Sequence, residues 1–296
     1  MPAFWHWFVA GLTVLFIFWC VWLVSWSAKQ GPKDLADDDL VGHKWDGDLE
    51  EWNNPAPRWW LYLYFITIAW GIGFLVAYPG LGNFKGMLGW TSSGQYEAEM
   101  DYAAATYEPI YEEFAAMDFA ELTQNEEALA LGKSLFANYC TTCHGSDARG
   151  ATGYPNLTDD DWQWGGGEAN IVATLTNGRV AVMTPWAQVL GSDEAVTNMA
   201  KYVRSLSGLE EADAAAQAMQ TQFQTFCGAC HMPTGTGNPV LGAPNLTDDV
   251  WLYGSSIDTI RTAIIEGRNG QMPAHGELLG ANRTKILAAY VASLSQ

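Results

Sequence analysis

One short cysteine motif occurs twice in this chain of 296 residues. Residues 140–144 read CTTCH and residues 227–231 read CGACH, so both have the pattern C-x-x-C-H. Two thiols at this spacing form thioethers with the vinyl groups of a c-type haem, and the histidine that follows is placed to ligate the iron. The sequence therefore predicts two covalently bound haem c groups. Their predicted attachment and proximal ligand residues are Cys140, Cys143, His144, Cys227, Cys230 and His231.

Paired cysteines have two other common uses, and neither fits. A zinc ribbon keeps its four cysteines in one small domain, with the pairs about 15–20 residues apart. Cys227 follows Cys143 by 84 positions. A thioredoxin-like motif sits in a βαβ pattern, whereas the stretches around both motifs are alanine-rich and helical in period. The fifth cysteine, Cys20, lies in an apolar run without a polar partner and is predicted to be a packing residue.

The segments that follow the two motifs also repeat. Residues 155–162 read PNLTDDDW and residues 244–251 read PNLTDDVW. The offset between equivalent residues stays near 89 as far as the closing helices, which indicates two tandem domains of one fold. Each unit is predicted to contain a helix ending at the haem motif, a glycine- and proline-rich stretch, a short helix, a methionine loop and a closing helix.

Met183 and Met272 are the predicted distal ligands of the two irons. They lie 39 and 41 positions after their histidines, and they alone among nine methionines occupy equivalent places beside a proline. His/Met coordination fills both axial positions of a haem, which suits electron transfer and leaves no open site for oxygen or peroxide. Spacing favours ligation within each domain, but exchange of the loops between domains stays open. His275 is a rival ligand, and because the first unit has Trp186 in that neighbourhood we interpret it as a loop histidine.

Each haem unit resembles class I cytochrome c. In that family the first and last helices cross near the haem, and an aromatic residue precedes the leading cysteine by four positions. Phe136 and Phe223 match this aromatic position. The other matching residues are Tyr202 and Tyr290 on the closing helices and Gly132 at the crossing, with Met219 in place of the glycine in the second unit.

Two uncharged runs near the N-terminus predict membrane-spanning helices. Residues 4–26 and 59–78 are each long enough to cross a hydrocarbon core of about 30 Å, and tryptophans cluster at their ends. The first run lacks a basic leading segment and a small-residue cleavage site, so we expect it to be retained. The connecting loop, residues 27–58, carries Lys29, Lys33, Lys44 and Arg58, which predicts a cytoplasmic loop and periplasmic haem domains.

These observations predict an all-α chain: two N-terminal transmembrane helices followed by two tandem class I cytochrome c domains. The predicted parts are a membrane anchor at residues 1–78, a linker at 79–126, and cytochrome domains at 127–208 and 209–296. The linker is too rich in tyrosine for a disordered tether, so we expect it to pack on partner subunits or on the haem domains. The net charge of −19 favours a soluble, positively charged cytochrome c as the electron donor.

The loop sequence at residues 42–60 is dense in tryptophan and acidic residues. It closely resembles the signature loop of the dihaem subunit (subunit III) of cbb-type, C-family haem-copper cytochrome c oxidases, and the order of motifs agrees along the whole chain. The resemblance implies a role as the electron-transfer subunit of a proton-pumping respiratory enzyme in the bacterial inner membrane. Electrons would pass from a soluble cytochrome c to a catalytic haem-copper subunit beside a monohaem cytochrome subunit, with no oxygen-reducing site in this chain.

Several alternatives stay open. One alternative is a free-standing, membrane-bound dihaem carrier, although two spans with a specialised loop favour a subunit of a complex. A dihaem peroxidase needs one open iron site, which the paired methionines disfavour. Loop acids between Asp34 and Glu51 form either a solvated surface or a docking surface, and His43 is interpreted as a hydrogen-bonding loop residue. Besides protein partners we expect membrane lipid and no nucleic acid.

Overall fold

The computed structural model describes residues 2–29, 40–52 and 57–295, and it divides into two compact units, Met1–Ala104 and Ala105–Gln296. Loop residues 30–39 and 53–56, which include Lys33 and Asp34, lie outside the described residues. The described chain is mostly helical, as predicted.

The first unit contains the two apolar helices. Helix α1 (Ala3–Ser27) and helix α2 (Arg58–Ala77) have mean hydropathies of 2.3 and 1.8 over their most apolar windows, and almost none of their side chains is buried within the chain. Helices that are apolar on all sides and unburied are the kind that a membrane surrounds. Their bounds agree closely with the predicted spans, and exposed tryptophans lie at their ends: Trp5, Trp7, Trp26, Trp59 and Trp60.

A β-hairpin lies between these helices, which the sequence analysis did not predict. Strands β1 (Leu40–Trp45) and β2 (Leu49–Trp52) pair antiparallel, with Lys44 opposite Glu50 and an ion pair of 2.5 Å between them. The turn contains Asp46 and Gly47 with φ of 49° and 91°. Asp-Gly is a strong hairpin signal because both positions accept positive φ.

The segment that follows α2 contacts the start of α1. The backbone N–H of Asn83 donates to Nδ1 of His6 at 2.9 Å. Gly82, with φ of 62°, lies so close to the His6 backbone that a Cβ atom would clash with it. The N-terminus of α1 and the C-terminus of α2 therefore lie at the same end of an antiparallel pair.

The second unit is built from short helices and two further strands. Helix α3 (Ser92–Ala115) enters it from residue 105 onward. Helix α4 (Phe119–Leu122) follows within the linker. The first repeat contains α5 (Glu126–Tyr139), α6 (Thr141–His144), α7 (Glu168–Asn177), β3 (Arg179–Met183), α8 (Ala187–Leu190) and α9 (Asp193–Leu206). The second contains α10 (Ala214–Gln217), α11 (Gln220–Gln222), a π-helical turn (Phe223–Cys227), α12 (Gly228–His231), α13 (Ile257–Glu266), β4 (Arg268–Met272) and α14 (Gly276–Ser293), which is kinked at Gly280.

The packing of the second unit exchanges elements between the sequence repeats. Helix α14, from the second repeat, packs against α5 and α7 of the first. Helix α9, from the first repeat, packs against α13 of the second. One apolar core accordingly joins Leu135 and Ile171 to Leu287, and the other joins Met199 to Ile260. Each core therefore contains residues of both repeats.

Part of the linker packs on the last helix. Phe114 and Leu122 share a buried cluster with Ile286 and Ala289 of α14. The ammonium group of Lys285 donates to the carbonyl oxygens of Ala115 at 2.8 Å and Met117 at 2.6 Å. Arg283 forms an ion pair of 2.7 Å with Glu108 and stacks on Tyr111. The segment from residue 105 to 122 thus folds back onto the haem region.

Candidate haem-binding sites

Each haem motif ends in a buried histidine that is held in one orientation. Asn125 caps the start of helix α5 by accepting a hydrogen bond from the N–H of Ala128, and the helix leads directly into the first motif. His144 and His231 are only 8% and 9% exposed. Their Nδ1 atoms donate to the carbonyl oxygens of Pro155 at 3.0 Å and Pro244 at 3.1 Å. Since a carbonyl only accepts, Nδ1 carries the proton and Nε2 is left free to bind a metal.

The surroundings of the motifs suit neutral imidazoles. Burial lowers the pKa of His144 and of His231, and the hydrogen bonds to the proline carbonyls oppose this shift only in part. Neutral imidazole is the form that binds a metal ion. Burial also raises the pKa of the unmodified Cys140 and Cys227 thiols to about 11, which marks an apolar setting for the first cysteine of each motif.

Strands β3 and β4 carry the two methionines at diagonal corners of an antiparallel ribbon. Met183 lies opposite Arg268, and Met272 lies opposite Arg179. Met272 packs against the core that contains Phe136 and Cys140, whereas Met183 packs against the core of Phe223, as Cys227 does. Each methionine therefore lies with the haem motif of the other repeat.

Two equivalent hydrogen bonds fix this exchange. The N–H of Trp186, after Met183, donates to the carbonyl oxygen of Ile264 in α13 at 2.8 Å. The N–H of His275, after Met272, donates to the carbonyl oxygen of Leu175 in α7 at 2.8 Å. Both donors and both acceptors are 89 positions apart, so the two methionine loops are anchored in the same way on opposite repeats.

The helix crossings show the same exchange. The ring centroids of Phe136 and Tyr290 are 5.6 Å apart, and those of Phe223 and Tyr202 are 5.5 Å apart. A Cβ atom on Gly132 would lie 2.5 Å from Cβ of Tyr290, so the glycine permits the close approach of α5 and α14. At the other crossing Met219 is buried in the second core.

Unpartnered donors near the second motif fit an anionic group. Nε1 of Trp251 and Nε of Arg268 are buried and have no hydrogen-bond partner among the described residues. The equivalent atom in the first repeat, Nε of Arg179, donates to Oγ1 of Thr174 at 2.8 Å, but alanine stands at the corresponding position 263. Buried donors are costly unless they are satisfied. The carboxylates of a haem are suitable acceptors, so these residues fit the predicted cofactor.

The other residues singled out from the sequence lie elsewhere. His275 caps the start of α14, and its Nδ1 donates to the carbonyl oxygen of Pro273 at 2.9 Å. His43 is exposed on β1. The donors Trp251 and Arg268 were not predicted. Their signal in the sequence is their recurrence in both repeats, as Trp162 and Arg179.

Two motifs with buried histidines, each with a methionine packed against the apolar core of its motif, together with two apolar helices define a membrane-anchored cytochrome c with two haem-binding units. Comparison with known families agrees. Residues 127–203 and 214–291 match the family described as cytochrome c oxidase, cbb3-type, subunit III, and residues 37–85 match the N-terminal domain of cytochrome oxidase-cbb3, FixP. The chain belongs to the family of cbb3-type cytochrome c oxidase subunit III, and its two cytochrome c domains imply haem c binding.

Individual relatives resemble the chain over nearly its full length. The CcoP subunit of the cbb3-type cytochrome c oxidase from Rubrivivax gelatinosus is 44% identical over 99% of this chain and 95% of its own length. The FixP subunit from Azorhizobium caulinodans is 39% identical over 91% of this chain and 98% of its own. The CcoP subunit from Cereibacter sphaeroides is 33% identical over 90% of this chain and 98% of its own length.

Proposed function

We propose that this chain is the dihaem electron-entry subunit of a cbb3-type oxidase, which takes electrons from a soluble cytochrome c and passes them to the catalytic subunits. The observation that carries the proposal is that each haem motif ends in a buried histidine and shares an apolar core with one methionine. A site in which both axial positions are filled transfers electrons and leaves no position for a substrate.

Six residues would attach the two haems and ligate their irons on the proximal side. Cys140 and Cys143 would attach one haem and Cys227 and Cys230 the other, with His144 and His231 as proximal ligands. A bound haem c supplies a one-electron couple between ferrous and ferric iron. The chain's own residues orient the imidazoles through the proline carbonyls and surround the motifs with apolar side chains.

The distal ligands in this proposal are crossed. Met272 would ligate the iron held by His144, and Met183 would ligate the iron held by His231. Three kinds of contact support this pairing: the cores in which the methionines pack, the hydrogen bonds of Trp186 and His275, and the aromatic pairs at the helix crossings. The bounds 127–208 and 209–296 remain our proposal for the sequence repeats, whereas each haem unit would draw on both.

We further infer that both termini and the haem units face the bacterial periplasm. The basic residues of the connecting loop support this orientation. The hydrogen bond between Asn83 and His6 supports a shared side for the start of α1 and the end of α2, and the loop charges select the periplasm as that side. In such a topology the hairpin of β1 and β2 would lie on the cytoplasmic side.

The proposed donor is a basic soluble cytochrome c. Outside the connecting loop, residues 27–58, the chain has 25 acidic and 10 basic side chains, a net charge of −15. Several of these bases already pair with carboxylates of the chain: Lys201, Arg204, Arg261 and Arg283. Acidic groups without such partners remain in excess, and a field of one sign raises the association rate of an oppositely charged protein.

Gentle detergent purification followed by haem and metal analysis tests the assignment. We expect the chain to co-purify with b-type haem, copper and a monohaem cytochrome. Reduction of its haems by a basic soluble cytochrome c should slow steeply as ionic strength rises. Isolation of the chain alone would favour the free-standing carrier. A reduction rate that does not depend on salt would exclude electrostatic attraction between the chain and its donor.

A further inference from the structure

Two glycines stand at equivalent places beside the methionine ribbon. Gly178 ends α7 and precedes β3, and Gly267 ends α13 and precedes β4. Their φ angles are 70° and 76°, in the region that L side chains rarely adopt. They are 89 positions apart, like Met183 and Met272.

Each glycine lies against the backbone of the methionine that comes from the other repeat. A Cβ atom on Gly267 would overlap the carbonyl oxygen of Met183 and lie 3.2 Å from the nitrogen of Pro185. A Cβ atom on Gly178 would overlap the carbonyl oxygen of Met272 and lie 2.8 Å from the nitrogen of Ala274. These obstacles are backbone atoms, so no side-chain rotation can relieve the overlap.

Hydrogen bonds near each glycine limit how far the methionine loop can move away from it. Trp186, three residues after Met183, is hydrogen-bonded to Ile264, three residues before Gly267. Met183 is also in register with Arg268, the neighbour of Gly267. A side chain at position 267 would therefore displace the backbone that carries Met183 while the loop stays anchored on both sides.

We propose that Gly178 and Gly267 are positioning residues that set the distal methionine ligation of the two haems. Gly178 acts on Met272 at the haem of His144, and Gly267 acts on Met183 at the haem of His231. This inference rests on the crossed pairing proposed above. Release of the methionine from the iron would relieve the overlap that a Cβ atom creates, so substitution weakens ligation.

The test is displacement of the methionine by imidazole in the purified, haem-loaded complex. Overpacking of this kind costs on the order of the free energy of a tenfold change in binding. Gly267→Ala should therefore lower the imidazole concentration that half-saturates one haem by about tenfold. Gly191→Ala is the matched control, because Gly191 directly follows α8, the short helix after the Met183 loop, and has φ of 84° but nothing within 4 Å of a Cβ atom.

Double variants identify the methionine through which each glycine acts. The effect of Gly267→Ala should vanish in a Met183→Ala background and persist in a Met272→Ala background. If Gly267→Ala acts no more strongly than Gly191→Ala, or if its effect survives removal of Met183, the positioning role is overturned. The crossed pairing would still stand or fall on a direct map of the iron ligands.

Gly178, beside Met272 at the opposite corner of the ribbon, gives an independent second test. This test also applies if Gly267→Ala fails to assemble. Gly178→Ala should act only while Met272 is present. Its control is Gly280→Ala, with φ of 71° and nothing within 4 Å of a Cβ atom. Equal imidazole responses of Gly178→Ala and Gly280→Ala would overturn the proposal for the haem of His144.

Discussion

Single residues that recur in both repeats carry most of the haem chemistry. The cysteines and histidines were predictable because a contiguous pentapeptide contains them. The methionines were predictable because only two occupy equivalent positions. Their partners were not predictable, since the same spacing satisfies ligation within a repeat and between repeats. The contacts of Gly178 and Gly267 that distinguish the two arrangements exist only in the folded chain.

Gly132 gives a stability prediction at the first helix crossing. Alanine is favoured over glycine within a helix by about 1 kcal/mol. Here a Cβ atom would lie 2.5 Å from Cβ of Tyr290 and 3.0 Å from the carbonyl oxygen of Ile286, and overpacking costs about 1–3 kcal/mol. We expect Gly132→Ala to lower the thermal unfolding temperature. Ser134→Ala, at an exposed position of the same helix, is the control. An unchanged melting temperature for Gly132→Ala would contradict the close crossing.

Asp161 gives a pH-dependent prediction. Burial raises the pKa of this carboxyl group, and the nearby Asp248 and Asp159 raise it further. The folded chain then binds the proton more tightly than the unfolded chain does, so the charged form destabilises the fold above the folded pKa. Asp161→Asn should raise the melting temperature at neutral pH and lose that gain below the pKa of an unfolded aspartate. Asp160→Asn, at the exposed neighbouring residue, is the control, and a gain that persists at acid pH would contradict the account.

At the scale of elements, the membrane helices were readable from length and composition, whereas the strands were not. The hairpin of β1 and β2 has an Asp-Gly signal at residues 46 and 47, but its aromatic and acidic residues pointed to a loop. Strands β3 and β4 are only five residues long, and their paired residues lie 85 to 93 positions apart in the sequence. Ribbons of this kind depend on the tertiary fold and leave only a weak local pattern.

The tie between α14 and the end of α3 gives a prediction at this scale. The ammonium group of Lys285 donates to two backbone carbonyl oxygens, and hydrogen bonds to charged groups contribute about 1.5–3 kcal/mol. Lys285→Met should lower the free energy of unfolding by an amount of this order. Lys133→Met, at an exposed lysine of α5, is the control. Equal effects of the two substitutions in thermal unfolding would show that the tie contributes nothing.

At the scale of the molecule, exchange makes the two haem units depend on each other. A chain that ends at residue 208 would lack α14 and Met272, which complete the first core. We expect such a chain to bind carbon monoxide at its single haem and to unfold without a cooperative transition. The full chain, purified in parallel, is the comparison. A stable, six-coordinate product from the truncated chain would favour ligation within the repeat.

The most direct test of the crossed pairing is a cryo-electron microscopy map of the haem-loaded complex that resolves residues 179–183 and 268–272. If the pairing is crossed, Sδ of Met272 binds the iron held by His144 and Sδ of Met183 binds the iron held by His231. Density that joins Met183 to the iron of His144, and Met272 to the iron of His231, would contradict it.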